Sequence, residues 1–139
     1  MKNILVLLVF SGLILSCDRA ENTSVVPLNE TSATNGVLKI SGVFTDGDGE
    51  KASGKASIIT SGMSHQLVFE NLMVNNGPNL HVYLSQESNP KNFVDLGELK
   101  SIQGNQVYDV PYNVNAPSYK YALVYCKRFS HLFAIATLK

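Results

Sequence analysis

Two cysteines, Cys17 and Cys126, and three histidines, His65, His81 and His131, carry most of the chemistry this sequence can offer. Cys17 closes the run Ile14-Leu15-Ser16-Cys17, behind an apolar stretch from Ile4 to Leu15 and a basic Lys2. An aliphatic residue, an apolar residue, a small residue and then Cys form the pattern of a bacterial lipobox. Its thiol is alkylated by a diacylglyceryl group, and the small residue precedes the cut. The apolar run is about 12 residues, short of the roughly 20 that a permanent membrane-spanning helix needs. A short hydrophobic region behind a basic start reads as a secretory signal. Residues 1–16 are therefore expected to be a lipoprotein signal peptide, with Cys17 the lipidated first residue of the mature protein. Diacylglycerol plus an amide-linked acyl chain exceeds the two signals that stable anchoring requires. The expected location is the cell envelope, outside the cytoplasm, on a membrane whose leaflet the sequence leaves open.

Spending Cys17 on lipid removes the partner for an intramolecular disulfide. Cys126 is left unpaired in an oxidising compartment, where a leftover Cys reads as a reactive thiol, a metal ligand or one half of an intermolecular bridge. The bland reading stands beside these: Ala122, Val124 and Cys126 share one face of a strand, and free Cys is among the most buried residue types. Lys127 and Arg128 follow directly, and by strand alternation only Arg128 would share the thiol's side. The weak metal candidates are Cys126, His131, His81 and His65, with Met63 and Met73 completing the soft-ligand inventory; such a set would suit copper or a haem axial site. His131 falls five residues after Cys126, across an expected hairpin turn at 127–130. No diagnostic close pair such as His-x-His or Cys-x-x-Cys occurs. Asp46, Asp48 and Glu50 alternate like the start of a calcium loop, but Lys51 and Ser57 stand where a glycine and a glutamate are required. A glycine-rich hairpin turn explains them. No catalytic motif is visible: no Gly-x-Ser-x-Gly, Walker loop or His-Glu-x-x-His.

The elements that must position these residues are strands. The chain has 139 residues, room for one ordinary domain, and its 11 basic and 11 acidic residues balance. With no basic surplus, nucleic acid is not an expected partner. Residues 17–36 are rich in Ser, Thr, Asn and Glu and read as the lipidated Cys and a flexible tether. From Val37 onward, short alternating runs appear at 37–44, 55–60, 65–70, 79–84, 93–99, 106–110, 119–126 and 131–138. Leu80, Val82 and Leu84 face one way in the fourth run, and Asn79, His81 and Tyr83 the other. Gly77-Pro78 before it reads as a tight turn. About eight strands at this spacing predict an all-β fold, a small antiparallel β-sandwich or barrel over residues 37–139.

Several ordered pieces carry a resemblance. They are Gly77-Pro78-Asn79-Leu80, Val82-Tyr83-Leu84-Ser85, Leu96-Gly97-Glu98-Leu99-Lys100, Gly104-Asn105-Gln106-Val107-Tyr108-Asp109-Val110-Pro111, Tyr125-Cys126-Lys127-Arg128-Phe129 and Phe133-Ala134-Ile135-Ala136-Thr137-Leu138. In this order they resemble the DM13 domain family, with a weaker stretch from Gly42 through Gly54. The resemblance implies a compact all-β domain and a role in electron transfer centred on the family's Cys, which here is Cys126. The expected function is thus a membrane-anchored lipoprotein that handles electrons, or a redox partner protein, through Cys126. The alternatives are a non-catalytic binding or structural surface lipoprotein with Cys126 as core, and a metal- or haem-binding lipoprotein.

Overall fold

The structure, a computed structural model, describes residues 22–33 and 35–139. The expected signal peptide and Cys17 lie outside the described residues. Nine strands form one curled sheet: β1 (Leu28–Asn29), β2 (Val37–Asp46), β3 (Ala52–Ser61), β4 (Ser64–Val74), β5 (Leu80–Ser85), β6 (Phe93–Glu98), β7 (Gln103–Val110), β8 (Tyr121–Cys126) and β9 (His131–Thr137). Their order across the sheet is β1-β7-β4-β3-β2-β9-β8-β5-β6. The eight strands expected from alternation correspond to β2–β9, and the all-β expectation holds. Among the described residues the only helical element is a short 3-10 turn at Ala116–Ser118.

The sheet curls but stays open, and β2 joins its two halves. The first part of β2, Val37 to Val43, pairs with β3, and its last part, Phe44 to Asp46, pairs with β9. Gly42 permits the change of partner: an added Cβ would lie 2.1 Å from the Thr137 carbonyl oxygen. Inside the curl, Phe44 packs edge-on against Phe69 at 4.9 Å, and Phe69 meets Tyr108 at 5.4 Å between centroids. Leu80, Val82 and Leu84 of β5 face Val124 and Cys126 of β8 in the same core. The alternation read in β5 therefore gives the correct inward face.

One expectation differs. The segment read as a tether within 17–36 is, from Asn22 to Glu30, laid along the edge of the sheet. Leu28 and Asn29 pair in parallel with Gly104 and Asn105 of β7, and Asn22 bridges Pro78. The segment buries little apolar surface of its own. What it supplies is backbone hydrogen bonding to an otherwise open edge, which composition does not reveal.

Candidate functional site

Cys126 ends β8 facing inward and is 1% exposed. Its thiol donates to the Pro78 carbonyl at 3.0 Å. A turn that the sequence builds residue by residue presents this carbonyl. Gly77 lies against the Phe133 ring, so close that a Cβ there would stand 2.5 Å from Cζ. Asn79 takes φ 56°, a left-handed conformation that Asn tolerates. Its carbonyl then accepts the Lys127 amide at 3.1 Å. Leu80 pairs with Cys126 across the two strands. Gly77-Pro78, read from sequence as turn chemistry, is also the cover of the thiol. Cys126 is the only free cysteine among the described residues.

The outer face of the same strands carries an aromatic and ionic cluster. Tyr83 stacks on Phe93 with centroids 4.4 Å apart and meets Tyr125 at 5.5 Å. Tyr83 and Leu123 are buried here although neither belongs to the main core. The 86–92 loop turns back at this end, held where Ser85 Oγ donates to the Asn89 and Lys91 carbonyls. His81 Nδ1 is 2.9 Å from Asp95 Oδ1, and Lys127 Nζ approaches Oδ2 of the same carboxylate at 3.4 Å. Burial pushes the Asp95 carboxyl up, but the hydrogen bonds from His81 and the Gly97 amide, with His81 and Lys127 beside it, outweigh burial and hold it below its ordinary value. Burial first, then the charges of Asp95, Tyr125 and Cys126, push the Tyr83 phenol up to about 12. Sequence alternation placed Tyr83 opposite the core. Nothing in the sequence marked Asp95, which reaches His81 only because β5 and β6 pair.

The other candidates are dispersed. Cys126 and His131 are register partners across β8 and β9, as the expected hairpin requires. The His131 ring, however, is turned to Glu50, with Nε2 3.1 Å from Oε1. His65 Nδ1 lies 2.9 Å from Thr60 Oγ1 on the β3–β4 hairpin. Each histidine has its partner in a different part of the fold, and no group of three or more His, Cys, Asp or Glu among the described residues could hold a metal ion. Asp46 accepts from Lys51 Nζ at 2.6 Å and the Ala52 amide at 2.9 Å, so its carboxylate closes the turn that the sequence suggests. Lys127 and Arg128 sit in the exposed 127–130 turn, where strand alternation no longer governs direction.

A second constellation is structural. Gln106 is fully buried; its Nε2 donates to the Ser101 carbonyl at 2.7 Å, and its Oε1 accepts from Tyr108 Oη at 2.6 Å. Tyr108 Oη in turn accepts the Lys100 amide at 3.1 Å. Burial pushes the Tyr108 phenol well above its ordinary range. Lys100 Nζ reaches Glu30 at 2.8 Å and lies 5.1 Å from the Tyr108 ring centroid. The Leu-Gly-x-Leu-Lys and Gly-x-Gln-x-Tyr pieces thus meet in one buried polar network.

A small curled β domain, with a covered thiol at the point where its turn and strand signatures converge, is the class of protein these features define. Residues 43–138 match the family model described as electron transfer DM13, and the chain belongs to that family. No curated protein and no solved structure matches the chain.

Proposed function

We propose that this chain is an extracytoplasmic lipoprotein, held to a membrane by lipid on Cys17, whose DM13 domain transfers electrons with Cys126 as the redox group. Family membership supports the electron-transfer role. The observation that carries the assignment to Cys126 is convergence of three separate pieces of the family pattern: Pro78 and Leu80 of the first lie against Cys126 of the second, and Phe133 of the third packs on Gly77 behind the turn that covers the sulfur. Burial bears differently on two kinds of thiol chemistry. Exchange with a partner's disulfide needs sulfur to meet sulfur, which Cys126 reaches only if the 77–79 turn lifts. Loss of one electron to a one-electron acceptor on a partner protein needs no such contact; the S–H bond breaks, the electron passes to the acceptor, the proton is released to water, and the sulfur is left as a thiyl radical until an electron and a proton return to it.

Ferricyanide serves as the acceptor in the test. The native protein is expected to reduce it, and folded Cys126→Ala is expected not to. Equal reduction by the variant overturns the assignment. A second reading rests on the 1% exposure and the bond to Pro78. In it Cys126 is a core residue of a surface lipoprotein that binds another protein, and Cys126→Ala changes stability alone. For a metal- or haem-binding lipoprotein, protein purified from its own host would show a metal or chromophore that Cys126→Ala loses. Cys17→Ala is expected to abolish acyl labelling; normal labelling in that variant overturns the anchor.

A further inference from the structure

The docked N-terminal segment does more than extend the sheet. Its hold on the domain is built from many groups. Thr23 Oγ1 donates to the Gly77 carbonyl at 3.5 Å. The Ser24 carbonyl accepts the Ile102 amide at 2.9 Å and Ser101 Oγ at 3.0 Å. The Val26 carbonyl accepts Ser101 Oγ at 2.6 Å, and the Val25 carbonyl accepts Gln103 Nε2 at 2.5 Å. Glu30 receives Lys100 Nζ and, at 2.8 Å, the Val107 amide. Gly104, at φ 101°, makes room for the segment: a Cβ there would lie 2.1 Å from the Leu28 carbonyl oxygen. A free tether would need none of this.

We infer that residues 22–30 are a latch that fixes which face of the domain meets the membrane. The inference rests on the reading of Cys17 as the lipidated residue. Asn22, the first described residue, bridges Pro78, so no more than five residue steps separate the anchor from the domain, at most about 18 Å of extended chain. The Asn22–Pro78 bridge lies at the end of the sheet that covers Cys126. That end also presents a shallow groove lined by Asn79, His81, Glu98, Lys127 and Arg128. Arg128 is exposed there and suits an anionic phospholipid surface, beside Lys127, which approaches Asp95, and Glu98. The covered thiol is therefore held at the lipid headgroups, and its electron partner is one that works at the membrane plane. The opposite end is the β3–β4 turn, where His65 pairs with Val110 at the far end of β7 and Met63 is 80% exposed.

The test uses full-length acylated protein in phosphatidylcholine–phosphatidylglycerol vesicles that carry a headgroup quencher. A dye is placed on Arg128→Cys or on Met63→Cys; the buried native thiol does not compete. Quenching is expected to be several-fold stronger at position 128. Gly104→Val, which drives a side chain into the Leu28 backbone, is expected to erase the difference. Ser101→Ala with Gln103→Ala removes latch donors without crowding the backbone and serves if Gly104→Val does not fold. Equal quenching at the two positions in acylated protein overturns the latch and leaves the anchor standing. Failure of acylation overturns both. A difference that survives in folded latch variants overturns the role given to residues 22–30.

Discussion

Gln106→Leu tests whether the Gly-x-Gln-x-Tyr signature serves architecture or chemistry. Gln106 is fully buried and closes two short bonds, 2.7 Å to the Ser101 carbonyl and 2.6 Å from Tyr108 Oη. Leucine keeps the approximate volume and strands both partners. A buried polar group left unpaired costs about 1–3 kcal/mol, so stranding two is expected to cost about 2–6 kcal/mol, a large share of a domain's total of roughly 5–15 kcal/mol. Tyr108→Phe strands the Lys100 amide and leaves Gln106 Oε1 with only the Ser101 amide at 3.4 Å, so it is expected to cost about 1–3 kcal/mol. The two side chains share a bond. The double variant is therefore expected to lose less than the sum, by a coupling of about 0.5–3 kcal/mol. Urea unfolding of the four proteins measures this, provided the slope of free energy against denaturant stays constant. Folded Gln106→Leu is expected to reduce ferricyanide as the parent does. Strictly additive costs, or a Gln106→Leu domain as stable as its parent, would refute the shared network. Lost electron transfer in a folded variant would move Gln106 into the functional site.

Three further outcomes follow from the geometry. Gly77→Ala, with its Cβ 2.5 Å from Phe133 Cζ, is expected to destabilise by about 1–3 kcal/mol through overpacking. By displacing Pro78 it should also speed the reaction of Cys126 with a thiol reagent; unchanged reactivity would mean that the turn does not gate the sulfur. Tyrosinate absorbance is expected to show a step near pH 12 that Tyr83→Phe removes, provided the fold survives to that pH; a Tyr83 that ionises well below this would show that the outer cluster is open to water. Asp95 sits below its ordinary 3.8 in the folded domain. Its stabilising contribution is thus full above that value and is lost as pH falls through the lower, folded value. Asp95→Asn should flatten the acid limb of a pH–stability profile followed by circular dichroism, and an unaltered limb would discount the His81–Asp95 pair.

Local pattern reads strands well here because a half-buried strand must alternate. The run from Leu80 to Leu84 shows its inward face without any partner, and the 127–130 hairpin and the Gly77-Pro78 turn are equally local. The lipobox-like pattern ending at Cys17, on which the proposed anchor rests, is equally local. Contacts between distant segments leave no such trace. Asp95 meets His81 through strand pairing across a bulge in the β5–β6 ladder, and Phe133 touches Gly77 only after β9 has been placed between β8 and β2. The clearest case is residues 22–30. Their composition describes a solvated tether, because composition counts apolar surface. What holds them is hydrogen bonding to the backbone of the β7 edge, to the side chains of Lys100, Ser101 and Gln103, and the space left by Gly104. By itself the sequence determined the strands, the family signature and an unpaired Cys126. Only the tertiary structure decided that Pro78 covers this thiol and that Asn22 bridges Pro78 at the same end of the sheet, because both contacts depend on backbone groups that residues of every type carry alike.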